Sequence, residues 1–412
     1  MTLSAATVRR WRVALFLMFF LPGIAGASWV TRTPTIRDVL GASPGQMGLL
    51  LFGLSVGAMA GVLASSPAVA LFGGRTVVSL GASATVLGLL GVLLGAVAAA
   101  PIAVFGGLAL LGAGGGFAEV GLNVEGSAIE AALGGRPLLP LSHGGYSLGT
   151  FMGAVAGTSL NAFSVPIGAH LGAVALLVIT CLVWAALNIP PGTGRADVCS
   201  PRRRLLVVAP KRGPFGVRVG TRDSRLLALG GIVLAMALAE GAANDWLPLI
   251  LVDGFGTSAA EGAFVYALFA LSMTVGRLCG GPLITRFGRV AIVRASIIAA
   301  ATGIGVVAVL PSPALAAVAA VLWGLGSSLG FPLSVSAAAD GPEEGAAARV
   351  GKVATAGYMA FLVGPPLLGF LGGHVTLRLA LLVVLAVVVA AWFGSSAARE
   401  QTKTAHGAPE EG

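Results

Sequence analysis

Apolar runs of about 20 residues recur along the whole chain, each long enough to cross the hydrocarbon core of a bilayer as a helix. Backbone polar groups in that core must bond within their own segment, so repeated runs of this length commit the chain to a bundle of spanning helices. Composition agrees: hydrophobic residues make up 56% of the 412 and charged residues 10%. Soluble domains carry about 25% charged residues, so this chain has too few to coat a water-facing surface. Its formal charge of +9 would suit a nucleic-acid partner only on a soluble fold with a basic face. Here the charges sit in short connections between apolar runs, so they report topology, and the expected surroundings are lipid.

Hydropathy places twelve spans, near 13–31, 46–66, 76–98, 102–123, 139–160, 168–188, 226–247, 260–281, 290–310, 314–335, 353–373 and 376–395. The first lies within the N-terminal stretch that opens "VRRWRVALFLMFFLPGIAGAS", which imitates a secretory signal; its apolar run continues to Val30, so it reads as a span. Pro/Gly connections such as "AAAPIA" and "LPSPAL" fit tight hairpins. Of the 25 Lys and Arg residues, 21 fall on the side of the N-terminus and 3 (Arg32, Arg37, Arg378) on the other, with Arg277 inside a span. That asymmetry predicts both termini and the central loop in the cytoplasm, and the expected location is a bacterial inner membrane, crossed many times. The expected organisation is an all-α membrane protein of two pseudo-symmetric six-helix halves, 1–188 and 226–395. A basic cytoplasmic linker, 189–225, joins them, and a cytoplasmic tail, 396–412, follows. The linker either fixes topology as a solvated segment or grips anionic lipid.

The halves repeat one another. "LFGLS" (51–55) pairs with "LFALS" (268–272), "PAVALFGGR" (67–75) with "PLITRFGR" (282–289), and "LGAGGGF" (111–117) with "LGSSLGF" (325–331). "GGYSLGTFMG" (144–153) loosely answers "AGYMAFLVG" (356–364), and the order is kept throughout.

The loop after the eighth span, "GPLITRFGR" (281–289), resembles the cytoplasmic signature of the major facilitator superfamily of transporters. Gly281, Arg286, Gly288 and Arg289 match it as gating residues, while Thr285 stands where the family has Asp. In the first half only Gly73 and Arg75 remain, so the family's acidic gate partner is missing from both copies. The resemblance covers nearly the whole chain. It implies the major facilitator fold, alternating access between two rocking halves, a monomer, and a central cavity lined by spans one, four, seven and ten.

Two of those spans carry intramembrane acids, Glu119 in "GAGGGFAEVGLNVEG" (112–126) and Glu240 in "LAEGAANDWLP". An acid costs about 2.5–3.5 kcal/mol at the bilayer centre, so it faces water or a partner. At roughly 100° per residue, Glu119 shares a face with Asn123, and Glu240 with Asn244. Glu125 swings away and reads, with Glu130 and Arg136, as a solvated cap; Asp245 points elsewhere. The glycines of 112–116 admit a neighbouring helix. A carboxylate beside an amide can hold hydroxyls of a polar solute and also exchange a proton, or can serve as a structural group bonded to another helix.

"AEVGLN" (118–123) further resembles the fourth span of fucose-permease-like sugar transporters, implying Glu119 and Asn123 as substrate or proton residues. That branch also has an Asp late in span one, where this chain has Trp29 and no acid. The stretch "NVEGSAIE…GGRPLLPLSHGGYSLG" resembles permease-like proteins that include one from rhizopine-associated loci, which implies a cyclitol-like or amino-sugar-like solute.

His143 opens span five at the depth of Glu119, either as a proton-passing partner or as a surface residue. Arg277 is expected to snorkel. Trp323 is placed at a sugar ring or in the membrane interface, and Trp246 in the interface. His170 and His374 fall in outer loops and His406 in the tail, without metal-ligand neighbours. Cys181 and Cys279 read as small hydrophobes and Cys199 as an exposed thiol.

The expected function is proton-coupled symport of a small polar solute, with Glu119, Glu240 and His143 coupling the proton. Asn123, Asn244 and Trp323 join the two glutamates at the substrate. "GPPLLG" (364–369) resembles a proline element of proton antiporters, so an efflux antiporter is the rival, and a non-transporting sensor the third reading. No phosphate loop, metal spacing or nucleophile elbow supports an enzyme, and no cofactor is expected.

Overall fold

The computed structural model describes residues 4–133, 138–195, 224–340 and 345–400; Arg136, Cys199, His406, residues 196–223 of the linker and residues 401–412 of the tail lie outside it. Among the described residues there are thirteen α-helices and no strand. In the first half they are α1 (Ala5–Val30), α2 (Thr33–Leu40), α3 (Pro44–Phe72), α4 (Gly74–Val97), α5 (Pro101–Ala132), α6 (Leu139–Ala162) and α7 (Ile167–Asn188). The second half holds α8 (Ser224–Phe255), α9 (Ala259–Phe287), α10 (Arg289–Val309), α11 (Pro313–Ala339), α12 (Ala346–His374) and α13 (Leu377–Gly394). Each expected span is a helix; the short α2, with Pro34 in its first turn and Gly41 as its left-handed cap, lies in a segment read as a connection.

Eleven of the long helices are apolar enough to count as membrane spans. The twelfth, α6, is long enough but too polar, because it carries Ser142, His143, Tyr146, Ser147, Thr150, Thr158, Ser159 and Asn161. Several of its hydroxyls bond to its own backbone: Thr150 to the Tyr146 carbonyl, Thr158 to Ala154 and Ser159 to Val155. Such self-satisfaction lets polar residues sit at membrane depth.

The repeat seen in the sequence is physical. Both α3 and α9 begin at a capping box, Ser43 with Gln46 and Ser258 with Glu261, which satisfies the orphan N–H groups of the first turn reciprocally. Both contain a proline, Pro67 and Pro282, and both stop at a glycine of positive φ, Gly73 at 85° and Gly288 at 77°. Each pair is separated by 215 residues (43 to 258, 73 to 288).

Within the first half α5 packs between α3 and α4, and its glycines divide that work. A Cβ on Gly112 or Gly116 would overlap the α3 backbone at Leu54 and Ala58, and one on Gly114 would overlap α4 at Gly81 and Thr85. Gly115 has nothing within 4 Å and faces the central cavity. Small residues on two faces let α5 approach two helices closely.

The halves meet along α3 with α12 and α6 with α9. Near the end of the bundle away from the termini, Gly48 of α3 lies against Pro365 and Gly369 of α12, and Arg37 of α2 pairs with Asp253 of α8. Further in, Ser55 donates to the Phe361 carbonyl at 2.8 Å and Thr274 to the Ser147 carbonyl at 3.4 Å.

Three sequence expectations change here. Trp246 is fully buried in the core of the second half, not in a membrane interface. His170 is buried as well, its Nδ1 accepting from Arg32 Nε at 3.0 Å. Glu125 has not left the bundle; it is 0% exposed, because α5 continues to Ala132 and carries it beneath the α3–α4 turn.

Candidate functional site

A cavity of about 490 Å³ lies between the two halves. Helices α1, α3, α5 and α6, with Thr85 of α4, supply one wall, and α8, α9 and α12 the other. From the first half it receives Glu119 and His143, and from the second Glu240, Asn244, Asp245 and Arg277. It reaches toward the termini as far as Leu122 and His143, and at its other end touches Trp29 and Val30.

Arg277 does not snorkel. Its Nη2 donates to Glu240 Oε1 at 3.1 Å and its Nη1 to Ser147 Oγ at 3.1 Å across the gap between halves. A guanidinium at this depth is stabilised by a carboxylate and a hydroxyl that replace its hydration. The pair joins two residues 37 positions apart on adjacent helices, a contact that helix periodicity does not announce.

The two E-x-x-x-N faces fare differently. Glu240 and Asn244 both line the cavity, and Tyr266 donates to Asn244 Oδ1 at 3.3 Å. Asp245 lines it too, contrary to the expected outward direction: the cavity is wide enough to receive neighbours about 100° apart on α8. Glu119 faces the cavity, whereas Asn123 is tied to His143, 3.1 Å from Oδ1 to Nε2. His143 also rests against Phe19, with ring centroids 4.8 Å apart.

Trp323 sits behind the wall. Its indole N–H donates to the Ala239 carbonyl at 3.0 Å and its ring meets Phe269 edge-on at 5.9 Å. Phe269 lines the cavity and Trp323 does not, so its place is packing rather than contact with a bound solute.

Periodicity also misses the tyrosines. The chain has only three, and all of them, Tyr146, Tyr266 and Tyr358, line this cavity. Their rarity was the available signal, since a residue type so sparse in a chain of this length carries weight when it recurs on α6, α9 and α12.

An acid from another helix meets the signature loop, while Thr285 leaves the loop itself without one. Arg289 Nη1 donates to Asp340 Oδ2 at 2.7 Å, and Arg225 of α8 approaches the same oxygen at 3.4 Å. Arg225 and Arg349 also bond to carbonyls between Ala337 and Asp340. Three guanidinium groups therefore complement the negative end of the α11 dipole. Gly288 supplies the positive-φ turn beneath them, Arg286 lies over the Phe287 ring at 5.3 Å, and Gly281 has open space around it.

The first half differs at the equivalent place. Glu125 answers Asp340, and Gly74 stands where Arg289 does, both 215 residues earlier (125 to 340, 74 to 289). A Cβ on Gly74 would collide with the Glu125 side chain. Around that carboxylate lie the Trp11 indole, the Thr193 hydroxyl and the Arg75 amide; these donors stand off beyond clean hydrogen-bond geometry. Glu130 caps the start of α6, accepting from Leu139 N at 2.8 Å. No group of three or more His, Cys, Asp or Glu with metal-binding geometry occurs among the described residues.

Comparison with known proteins gives this architecture a family. The profile of the Major Facilitator Superfamily matches residues 14–350 and again 229–411. An uncharacterized MFS-type transporter of Yersinia pestis is 29% identical over 362 residues, covering 87% of this chain and 88% of its own. The membrane protein MosC of Rhizobium meliloti is 27% identical over 383 residues, covering 91% and 87%. Among solved structures, nucleoside transporter NupG superposes with a TM-score of 0.67 at 17% identity, covering 94% of this chain and 98% of its own. FucP in its outward conformation gives 0.60 at 16%, covering 95% and 99%. A profile that spans both helix bundles, on a fold shared with solved transporters, makes the chain a membrane transporter of the Major Facilitator Superfamily.

Proposed function

We propose that the chain is a secondary active transporter that moves a small polar solute, sugar- or cyclitol-like, by alternating access coupled to proton symport. The observation that carries this reading is a cavity between the two halves with carboxylates from both, Glu119 on α5 and Glu240 and Asp245 on α8. Acids at membrane depth serve solute or ion pathways, and a site shared by two repeats is where rocking changes access. Relatives of the fold point the same way: NupG is a nucleoside transporter and FucP a fucose:proton symporter.

In this reading the protein sits as a monomer in the bacterial inner membrane with both termini cytoplasmic. The Gly48–Gly369 contact and the Arg37–Asp253 pair then close the outer side, with Gly281, Arg286, Gly288 and Arg289 at the inner gate. Glu240 is held by Arg277, which moves proton exchange toward Glu119 and Asp245, with Asn244 contacting solute and His143 relaying through Asn123.

The test is uptake into vesicles reconstituted with the purified protein under an imposed pH gradient, using labelled sugars and polyols. Gradient-driven uptake that disappears in Glu119→Gln supports the proposal. Uptake indifferent to the gradient refutes the coupling. The efflux-antiporter alternative draws on the aromatic lining contributed from both walls by Phe19, Phe269 and Phe361; export of lipophilic cations in exchange for protons, with no polyol transport, would establish it instead.

A further inference from the structure

The charges of the cavity do not balance. Three carboxylates face it, Glu119, Glu240 and Asp245, against one guanidinium, Arg277. Arg277 is committed to Glu240 at 3.1 Å. Among the described residues neither Glu119 nor Asp245 takes part in an ion pair. The other titratable side chains at the cavity are His143, which is engaged with Asn123, and the three tyrosines.

The three tyrosines share the cavity with the acids. A carboxylate flanked by aromatic rings is the chemistry that receives an ammonium group, because the ring face and the acid both attract positive charge. An anionic solute would meet an excess of like charge. A neutral polyol would fill the space and, with Asp245 holding the coupling proton, leave the Glu119 carboxylate without a counter-charge.

We infer that the transported solute carries a positively charged amine, seated on Glu119 in the cavity that Tyr146 and Tyr358 also line. This inference rests on the reading of the cavity as the transport site. It adds the charge of the solute, and leaves Asp245 as the carboxylate free to carry the coupling proton.

The experiment is equilibrium binding to the full-length protein in detergent at pH 7, with matched probes: glucosamine and galactosamine against glucose and galactose, plus choline and tetraphenylphosphonium. The expected result is that amino sugars bind more tightly than their neutral parents by on the order of tenfold or more. Glu119→Gln removes that preference, and an unchanged melting temperature in detergent shows that the variant is folded. Tyr358→Phe keeps the preference, since the ring face remains, and Tyr358→Leu reduces it. Equal binding of amino and neutral sugars overturns the inference and leaves the polar-solute transporter standing, as does a preference that survives Glu119→Gln. Binding of choline or tetraphenylphosphonium alone, lost in Glu119→Gln, supports the positive charge and overturns the sugar-like solute.

Discussion

Replacing Gly369 by alanine should open the end of the bundle away from the termini. A Cβ there would sit 2.7 Å from the Pro44 carbonyl oxygen and 2.8 Å from Gly48 Cα, where ordinary contacts begin at 3.4 Å. The obstructing atoms are backbone, so no side chain can swing aside, and α3 and α12 must separate by about 0.6 Å. Overpacking of this kind costs about 1–3 kcal/mol. The cost falls only on the state in which the two helices touch, so the closed population should drop by about 5- to 150-fold relative to the open one. Spin labels at Ser43→Cys and Thr376→Cys, with Cys181, Cys199 and Cys279 replaced, report the gap between the halves. Double electron–electron resonance should show the longer distance gaining population in Gly369→Ala. Gly172→Ala is the control, because nothing lies within 4 Å of its added Cβ. A distance distribution that Gly369→Ala leaves unchanged would refute the idea that this contact seals the bundle.

Other substitutions separate structural from functional roles. Asp340→Asn weakens the hold on Arg225 and Arg289 and should lower thermal stability by about 1.5–3 kcal/mol; an unchanged melting temperature would show that the cluster adds nothing. Trp323→Phe loses the bond to Ala239 and should cost about 1 kcal/mol of stability with no change in affinity for any cavity ligand, and altered affinity would return Trp323 to the site. Arg277→Gln should abolish transport measured in vesicles and cost about 1–3 kcal/mol of stability, since it leaves the largely buried Glu240 without its partner. Full transport would remove the Glu240–Arg277 pair from the mechanism.

The fold was legible because membrane solvation is strict. Spans, hairpins and the two-half repeat follow from apolar length, turn residues and recurring words, and the matched capping boxes of α3 and α9 are the same repeat in atomic form. The acids of α5 and α8 were also legible, since a carboxylate is expensive in lipid. What stayed hidden depends on helix-to-helix distances. Arg277 finds Glu240 and Ser147 on two other helices, and Asp340 is supplied to the signature loop from α11. Glu125 looked solvated because it lies six residues beyond Glu119 on a span expected to end at 123; the helix runs to Ala132 and buries it. Asp245 was misdirected by helical-wheel arithmetic, which gives an angle but not the width of the space it points into.

The polarity of α6 also bears on how the protein is made. A segment this hydrophilic is a poor substrate for release into lipid on its own, and α9, whose Arg277 and Thr274 donate to Ser147 in the folded protein, has not been synthesised when α6 emerges. Helix α1 has. Gly145, Gly149 and Gly153 bring α6 directly against Phe16, Phe20 and Ile24 of α1, a close small-residue seam of the kind that holds helices together in a bilayer. That seam gives the fifth span a partner made earlier in the chain, and a bulky residue at Gly149, whose Cβ would overlap the Phe20 carbonyl oxygen, should lower the yield of membrane-inserted protein.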